Sequence, residues 1–184
     1  SSPNTPGLRE LQGEESCARL LETLKREQQR LEAEHGRHVP LLFKVAPDLD
    51  DARIAGLARV FREGGLEGLI ATNTTISREQ IEGHPRADEA GGLSGRPLLG
   101  KSNEILQAFR AELDASIPII GSGGVCSPED AASKIHAGAS LVQIYSAFIF
   151  QGPALIRSCS RALDGIQPGF SGINPPSPSP NDTL

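Results

Sequence analysis

The sequence predicts a parallel α/β fold of four βα units, enough for a small open sheet or for one half of an eight-stranded βα barrel. Three observations predict it. Four short apolar, β-branched runs recur, at Val39 to Pro47, Gly68 to Thr75, Ile117 to Gly124 and Ser140 to Ser146. Each leads through a polar or glycine-rich turn into apolar residues at helical spacing. Polar residues also gather where the runs end. Continuous runs of this kind fit parallel strands buried on both faces, and the alternation fits right-handed crossovers.

The helices have readable limits. Glu14 to Glu34 is a long charged helix with Leu20, Leu21, Leu24 and Leu31 expected inward. After the first run, Asp50 or Asp51 caps a helix carrying Ile54, Leu57, Ala58 and Phe61, which Gly64-Gly65 stops. Ser102 is expected to cap the next, whose apolar face is Ile105, Leu106, Phe109 and Leu113. Ser127 caps another, with Pro128 at its first position and acids in its first turn. Pro153 to Leu163 closes the series. One connection breaks the rhythm: Ile76 to Lys101 has little periodicity, and a loop that long is usually functional or disordered. Residues 166–184 form a proline- and serine-rich tail, expected to be disordered, which leaves 1–165 as the folded unit.

Composition narrows the classes. A net charge of -5 gives no general attraction for nucleic acid or anionic lipid. No apolar run approaches the roughly 18 to 20 residues that span a bilayer. Three cysteines, far apart and without a C-x-x-C, argue against a disulfide framework or zinc site. The four histidines have no ligand spacing either, so no metal site is expected.

In parallel α/β folds ligands meet the C-terminal ends of the strands. Those ends carry Lys44, then Thr72-Asn73-Thr74-Thr75, then Gly121-Ser122-Gly123-Gly124, then Tyr145-Ser146. Lys44 sits between Phe43 and Val45, where its charge needs a ligand or carboxylate, unless its stem carries the ammonium out to water. The glycine-rich turn before the Ser127 helix suits a phosphate, or is simply a tight βα turn. In βα barrels the phosphate site often follows the last two strands, the position of Gly124 and of Tyr145-Ser146 here. Asn73 and Thr74 could fix a planar amide-bearing ligand or cap the strand end. Ser94-Gly95 could lie against a cofactor or serve as a hinge.

Taken in order, SSPNTPGLRELQG, KVAPDL, GLIATNTT, GGLSGRPL, IPIIGSGGV and AGASLVQIYSA resemble the C-terminal half of the quinone-linked (class 2) dihydroorotate dehydrogenases. The resemblance runs from Ser1 to about Gly165. It implies a (βα)8 TIM barrel with FMN at its top, oxidising dihydroorotate to orotate in de novo pyrimidine biosynthesis. Ser2 matches the family's catalytic base; cysteine is typical of the other class. Asn4, Asn73 and Thr74 match substrate contacts. Lys44, Thr72, Ser94 and Gly95 match flavin contacts, and Gly124, Tyr145 and Ser146 match the FMN phosphate loops. The long loop before Ser102 is expected over the site.

The family's first four strands, its quinone tunnel and its membrane-associating segment have no counterpart in this sequence. On that reading the opening motif is a catalytic loop separated from the strand that precedes it. The chain alone is then expected not to turn over dihydroorotate. The resemblance implies membrane association through the absent segment, at the mitochondrial inner membrane in a eukaryote or the cytoplasmic membrane in a bacterium. A non-catalytic half barrel that cannot complete the FMN site, or another FMN-dependent barrel oxidoreductase, are the alternatives. A half barrel would also leave two strand edges and an inner face uncovered.

Overall fold

A computed structural model describes residues 1–5 and 7–166; the expected tail lies outside the described residues apart from Ile166. The elements are α1 (Glu14–His35), β1 (Leu42–Val45), α2 (Asp51–Glu63), β2 (Gly68–Ala71), α3 (Leu99–Glu112), β3 (Ile119–Ser122), α4 (Pro128–His136), β4 (Leu141–Gln143), α5 (Ser146–Gln151) and α6 (Pro153–Leu163). The strands form one parallel sheet in the order β1-β2-β3-β4. Each lies inside the apolar run that announced it and ends two to four residues early, where the polar residues begin.

Helices cover one face of this sheet. Val45, Leu69, Ala71 and Ile119 are fully buried toward them, packed on Leu57, Phe61, Leu106 and Phe109. Three rings tie strand to helices, with Phe43 5.5 Å from Phe61 and Phe61 6.2 Å from Phe109. A smaller cluster of Val125, Ala131, Ala147, Leu155 and Cys159 joins α4 to α6. Strand residues alternate between faces, so Ile70 and Ile120 point the other way and are half-buried, while Leu141 and Gln143 are exposed. Burial on both faces is therefore corrected to burial on the helix face. Among the described residues no second layer covers the inner face, and β1 and β4 remain edges.

The capping predictions fare differently. Asp50 accepts Arg53 N–H at 2.8 Å and Ser127 accepts Asp130 N–H at 3.2 Å, each starting its helix as expected. Ser102 does not cap α3, which begins a turn earlier at Leu99 and holds Ser102 inside it, fully buried. The connection before it is correspondingly shorter and carries 3-10 turns at Glu79–Ile81 and Arg96–Leu98. An antiparallel bridge between Thr75 and Leu93 closes that loop, and the Arg78 guanidinium donates to the carbonyls of Ala87 (3.0 Å), Glu89 (2.9 Å) and Gly91 (2.6 Å). In α1 only Cys17 and Leu21 are fully buried, and Leu31 is exposed: the last turns of that helix are tied down by polar contacts of Gln28 and Glu32, not by apolar packing. The short helix α5 was not expected: its AFIF stretch is too brief to show a period. No helix among the described residues is long and apolar enough to cross a membrane.

Below the sheet, Glu67 leads into β2 and gathers Gln28 Nε2 (2.6 Å), Leu41 N–H (3.0 Å), Lys25 Nζ (3.3 Å) and the His38 ring. Burial alone would raise the Glu67 carboxyl, but these donors outweigh it and hold it at about 2 instead of 4.5. His38, between Glu32 and Glu67, is raised above its ordinary 6.5 by those two hydrogen bonds. The Glu67 contribution to stability is complete above 4.5 and fades as pH falls toward about 2. The His38 contribution is complete below 6.5 and fades as pH rises through its elevated folded value. Because His38 lies open to solvent, its limb is the shallower. Thermal unfolding followed against pH is expected to show both limbs, and Glu67→Gln to flatten them. Limbs unchanged in that variant would assign the pH dependence elsewhere.

Candidate active site

The C-terminal ends of the four strands meet in one cleft of about 260 Å³. It is lined by Lys44 from β1, by Thr72-Asn73-Thr74 after β2, and by Ser122 to Val125 after β3. Gln143 to Ala147 follow from β4, and Ser94-Gly95 and Leu98 from the long loop. A larger hollow of about 620 Å³ lies behind that loop, between Glu79, Arg96 and Glu104, and reaches no strand end other than Thr75.

Lys44 crosses the inner face to give its Nζ to Gln143 Oε1 at 3.3 Å, so the side chains of the two edge strands meet over the sheet. Burial pushes its ammonium below the ordinary lysine value. No carboxylate pairs with it among the described residues, and its bond to Gln143 lies on the exposed side, in keeping with a stem that carries the ammonium toward water. Gln143 was missed because the polar residues were sought only at the end of its run; a polar side chain inside that run, two residues after Leu141 and so on the same face, was the available signal.

The end of β2 is braced from both sides. Thr72 N–H donates to Ser122 O (2.8 Å) and Asn73 N–H to Val45 O (2.7 Å). Asn73 Oδ1 accepts Thr74 N–H at 2.8 Å, the strand-end capping left open above, while its Nδ2 reaches out to Ser1 Oγ at 3.0 Å. One side chain therefore caps its own strand and touches the opening segment.

Ser2 and Asn4 do not line the cleft but adjoin it. Asn4 N–H donates to Ser2 Oγ at 3.2 Å, and Asn4 Oδ1 accepts Gly92 N–H at 3.1 Å. Gly92 allows this approach, since a Cβ there would fall 1.9 Å from Thr74 Oγ1. Behind the segment, Arg9 donates to Asp48 Oδ2 (2.8 Å) and to Thr74 O (3.0 Å). Asp48 also takes Ile76 N–H (3.1 Å) and the Thr75 hydroxyl. Buried Gln12 accepts Ala46 N–H at 2.8 Å. The Arg9–Asp48 clamp joins residues 39 positions apart, a pairing invisible in the sequence.

On the other side, Ser146 Oγ lies 3.0 Å from Ser94 Oγ, which binds the long loop to the end of β4. Tyr145 stands at the mouth, 79% exposed. Gly124 has φ +81°, and a Cβ on it would come within 2.4 Å of Leu99 N. Only glycine lets the turn lie against the first turn of α3. Among the described residues the N–H groups of Gly124 and Val125 have no hydrogen-bond acceptor, and both residues line the cleft. Backbone donors of this kind, beside half-buried Lys44, suit an anionic, planar ligand.

The sequence profile of the dihydroorotate dehydrogenase family matches residues 1–166. The chain belongs to the dihydroorotate dehydrogenase family. The dihydroorotate dehydrogenase (quinone) of Akkermansia muciniphila is 60% identical over 163 residues, which are 89% of this chain and 47% of that protein. The enzyme of the same name from Paraburkholderia phymatum is 53% identical over the same shares. Among solved structures, a dihydroorotate dehydrogenase from Eimeria tenella crystallised with ferulenol superposes with a TM-score of 0.83 at 38% identity, covering 89% of this chain and 47% of that one. The chain spans about half the length of the relatives it matches. Four parallel strands with one bare face are what a partial barrel of the dihydroorotate dehydrogenase family presents, and the resemblance of the six motifs holds as family membership.

Proposed function

We propose that this chain carries the substrate loop and the flavin-facing strand ends of a quinone-dependent dihydroorotate dehydrogenase, which oxidises dihydroorotate to orotate in pyrimidine biosynthesis. The single observation behind this reading is the convergence of Lys44, Asn73, Ser94 and Gly124 on one cleft beside the Ser2–Asn4 loop. FMN fits the residues present: the free N–H groups of Gly124 and Val125 with the Ser146 hydroxyl for its phosphate, Thr72, Ser94 and Gly95 along its body, and Lys44 for its pyrimidine edge. Bound there, FMN would supply the hydride acceptor for C6 of the substrate, with quinone as the later electron acceptor.

The chain's own residues do the rest. Ser2 Oγ removes the proton from C5. The Asn4 N–H held against that oxygen favours the negative charge which develops as the hydroxyl gives its own proton to solvent water while taking the one from C5. Asn4, Asn73 and Thr74 orient the pyrimidine ring through amide and hydroxyl donors and acceptors. Lys44 offers positive charge in a half-buried setting, where it acts more strongly than in water.

The test joins residues 1–166 to the remaining half of the Akkermansia muciniphila relative and follows dihydroorotate-dependent reduction of a dye. The chimera is expected to turn over and the 184-residue chain alone to be inert. A folded, FMN-loaded chimera that leaves dihydroorotate unoxidised would overturn the assignment. Turnover by the isolated chain would overturn the expectation that it is inert.

A further inference from the structure

Lys134 is the one charged side chain fully buried among the described residues, and nothing in the proposed chemistry uses it. Helical spacing places it inward, three residues after buried Ala131 and one before Ile135. Its stem runs beneath β3, where a Cβ on Gly121 would come within 3.0 Å of Lys134 Cβ and Cδ. A lysine without water requires compensation, and it could be replaced by an apolar residue if it served packing alone.

The ammonium finds one hydrogen-bond acceptor among the described residues, Ser102 Oγ. The single Ser102 proton lies between Leu99 O at 2.9 Å and Gly123 O at 3.0 Å. The same helix holds the far end of the turn, because Asp130 Oδ2 accepts Cys126 N–H at 2.9 Å. Residues 123–126 are thus gripped from below by α4, and Gly124 and Val125, whose N–H groups have no acceptor among the described residues, line the cleft. Burial pushes Lys134 down to about 8 against the opposing pull of Asp130, so it is still chiefly protonated at neutral pH. Two ammonium protons have no protein acceptor, and the charge sits behind the backbone donors.

Resting on the flavin reading above, we propose that Lys134 is a positioning residue for the phosphate end of FMN. Through Ser102 it holds the Gly123 carbonyl so that the neighbouring N–H groups face the cleft. It also places a positive charge near them, only partly offset by Asp130, that favours a phosphate over a neutral group. The discrimination it confers is between FMN and its phosphate-free counterpart, riboflavin.

The experiment titrates the chimera that carries residues 1–166 with FMN and with riboflavin, reading flavin fluorescence, with this chain unsubstituted or bearing Lys134→Met or Ser102→Ala. Circular dichroism melts are recorded alongside. The unsubstituted chimera is expected to prefer FMN. Lys134→Met should lose about 10- to 100-fold in FMN affinity, the scale seen when outer partners of a direct ligand are removed, with riboflavin affinity unchanged. Ser102→Ala, which keeps the charge but cuts its link to Gly123, should lose part of the preference and decides the matter if Lys134→Met does not fold. Equal losses for both flavins, or an unchanged preference, would overturn the role of Lys134 alone. Failure of the unsubstituted chimera to bind either flavin would overturn the flavin reading with it.

Discussion

Ser2→Ala is expected to slow dihydroorotate oxidation in the chimeric enzyme by about 10²- to 10⁴-fold, the usual contribution of a positioned acid–base group. The loss should fall on kcat, with KM changing little. In the proposed reading, substrate orientation would rest on Asn4, Asn73 and Thr74; the Asn73–Thr74 and Asn4–Gly92 bonds do not pass through the Ser2 hydroxyl, whose one link to them is the 3.2 Å bond from Asn4 N–H. FMN affinity should be unaffected, because Ser2 lies outside the cleft lining. Steady-state kinetics together with flavin titration separate these quantities. A kcat within threefold of the unsubstituted chimera would remove Ser2 from the proton transfer.

Gly124→Ala is expected to disable the phosphate turn and to destabilise the fold together. The added methyl meets backbone, Leu99 N and Cα at 2.4 Å, not a side chain free to turn away, and it must occupy φ +81°. The left-handed backbone costs about 1–2 kcal/mol and the forced shift of α3 about 1–3 more, so a total loss of about 2–5 kcal/mol is expected. Urea unfolding measures it, and FMN affinity should fall in parallel. Wild-type stability with normal FMN binding in this variant would show that the turn and α3 are free to separate.

Local chemistry made much of this molecule readable. The strands announced themselves because buried parallel strands are β-branched and end abruptly in polar residues, as at Ala71-Thr72 and Gly121-Ser122. Asp50 and Ser127 were legible as caps since a cap acts within its own turn. Ser102 misled for the same reason in reverse: it resembles a cap, but its hydroxyl serves Gly123 and Lys134, 21 and 32 residues away. Leu31 misled because apolar spacing marks a helical face without saying where the partner surface stops. Most of the cleft lining was legible from strand ends alone. The supports behind it, Arg9 with Asp48 and Ser102 with Lys134, were not, since each joins residues that only the folded chain brings together.

The clamp of Arg9 on Asp48 and Thr74, with Gln12 on Ala46, has a consequence for how the loop at residues 1–5 gets its shape. Its geometry is borrowed from the β1 and β2 ends that follow it in sequence, not only from whatever adjoins Ser1. The ordering entropy of that loop is therefore met by contacts with later residues. A backbone nick just ahead of Ser1 would leave the loop docked, and two separately made pieces divided there would come together with this side of the site already assembled.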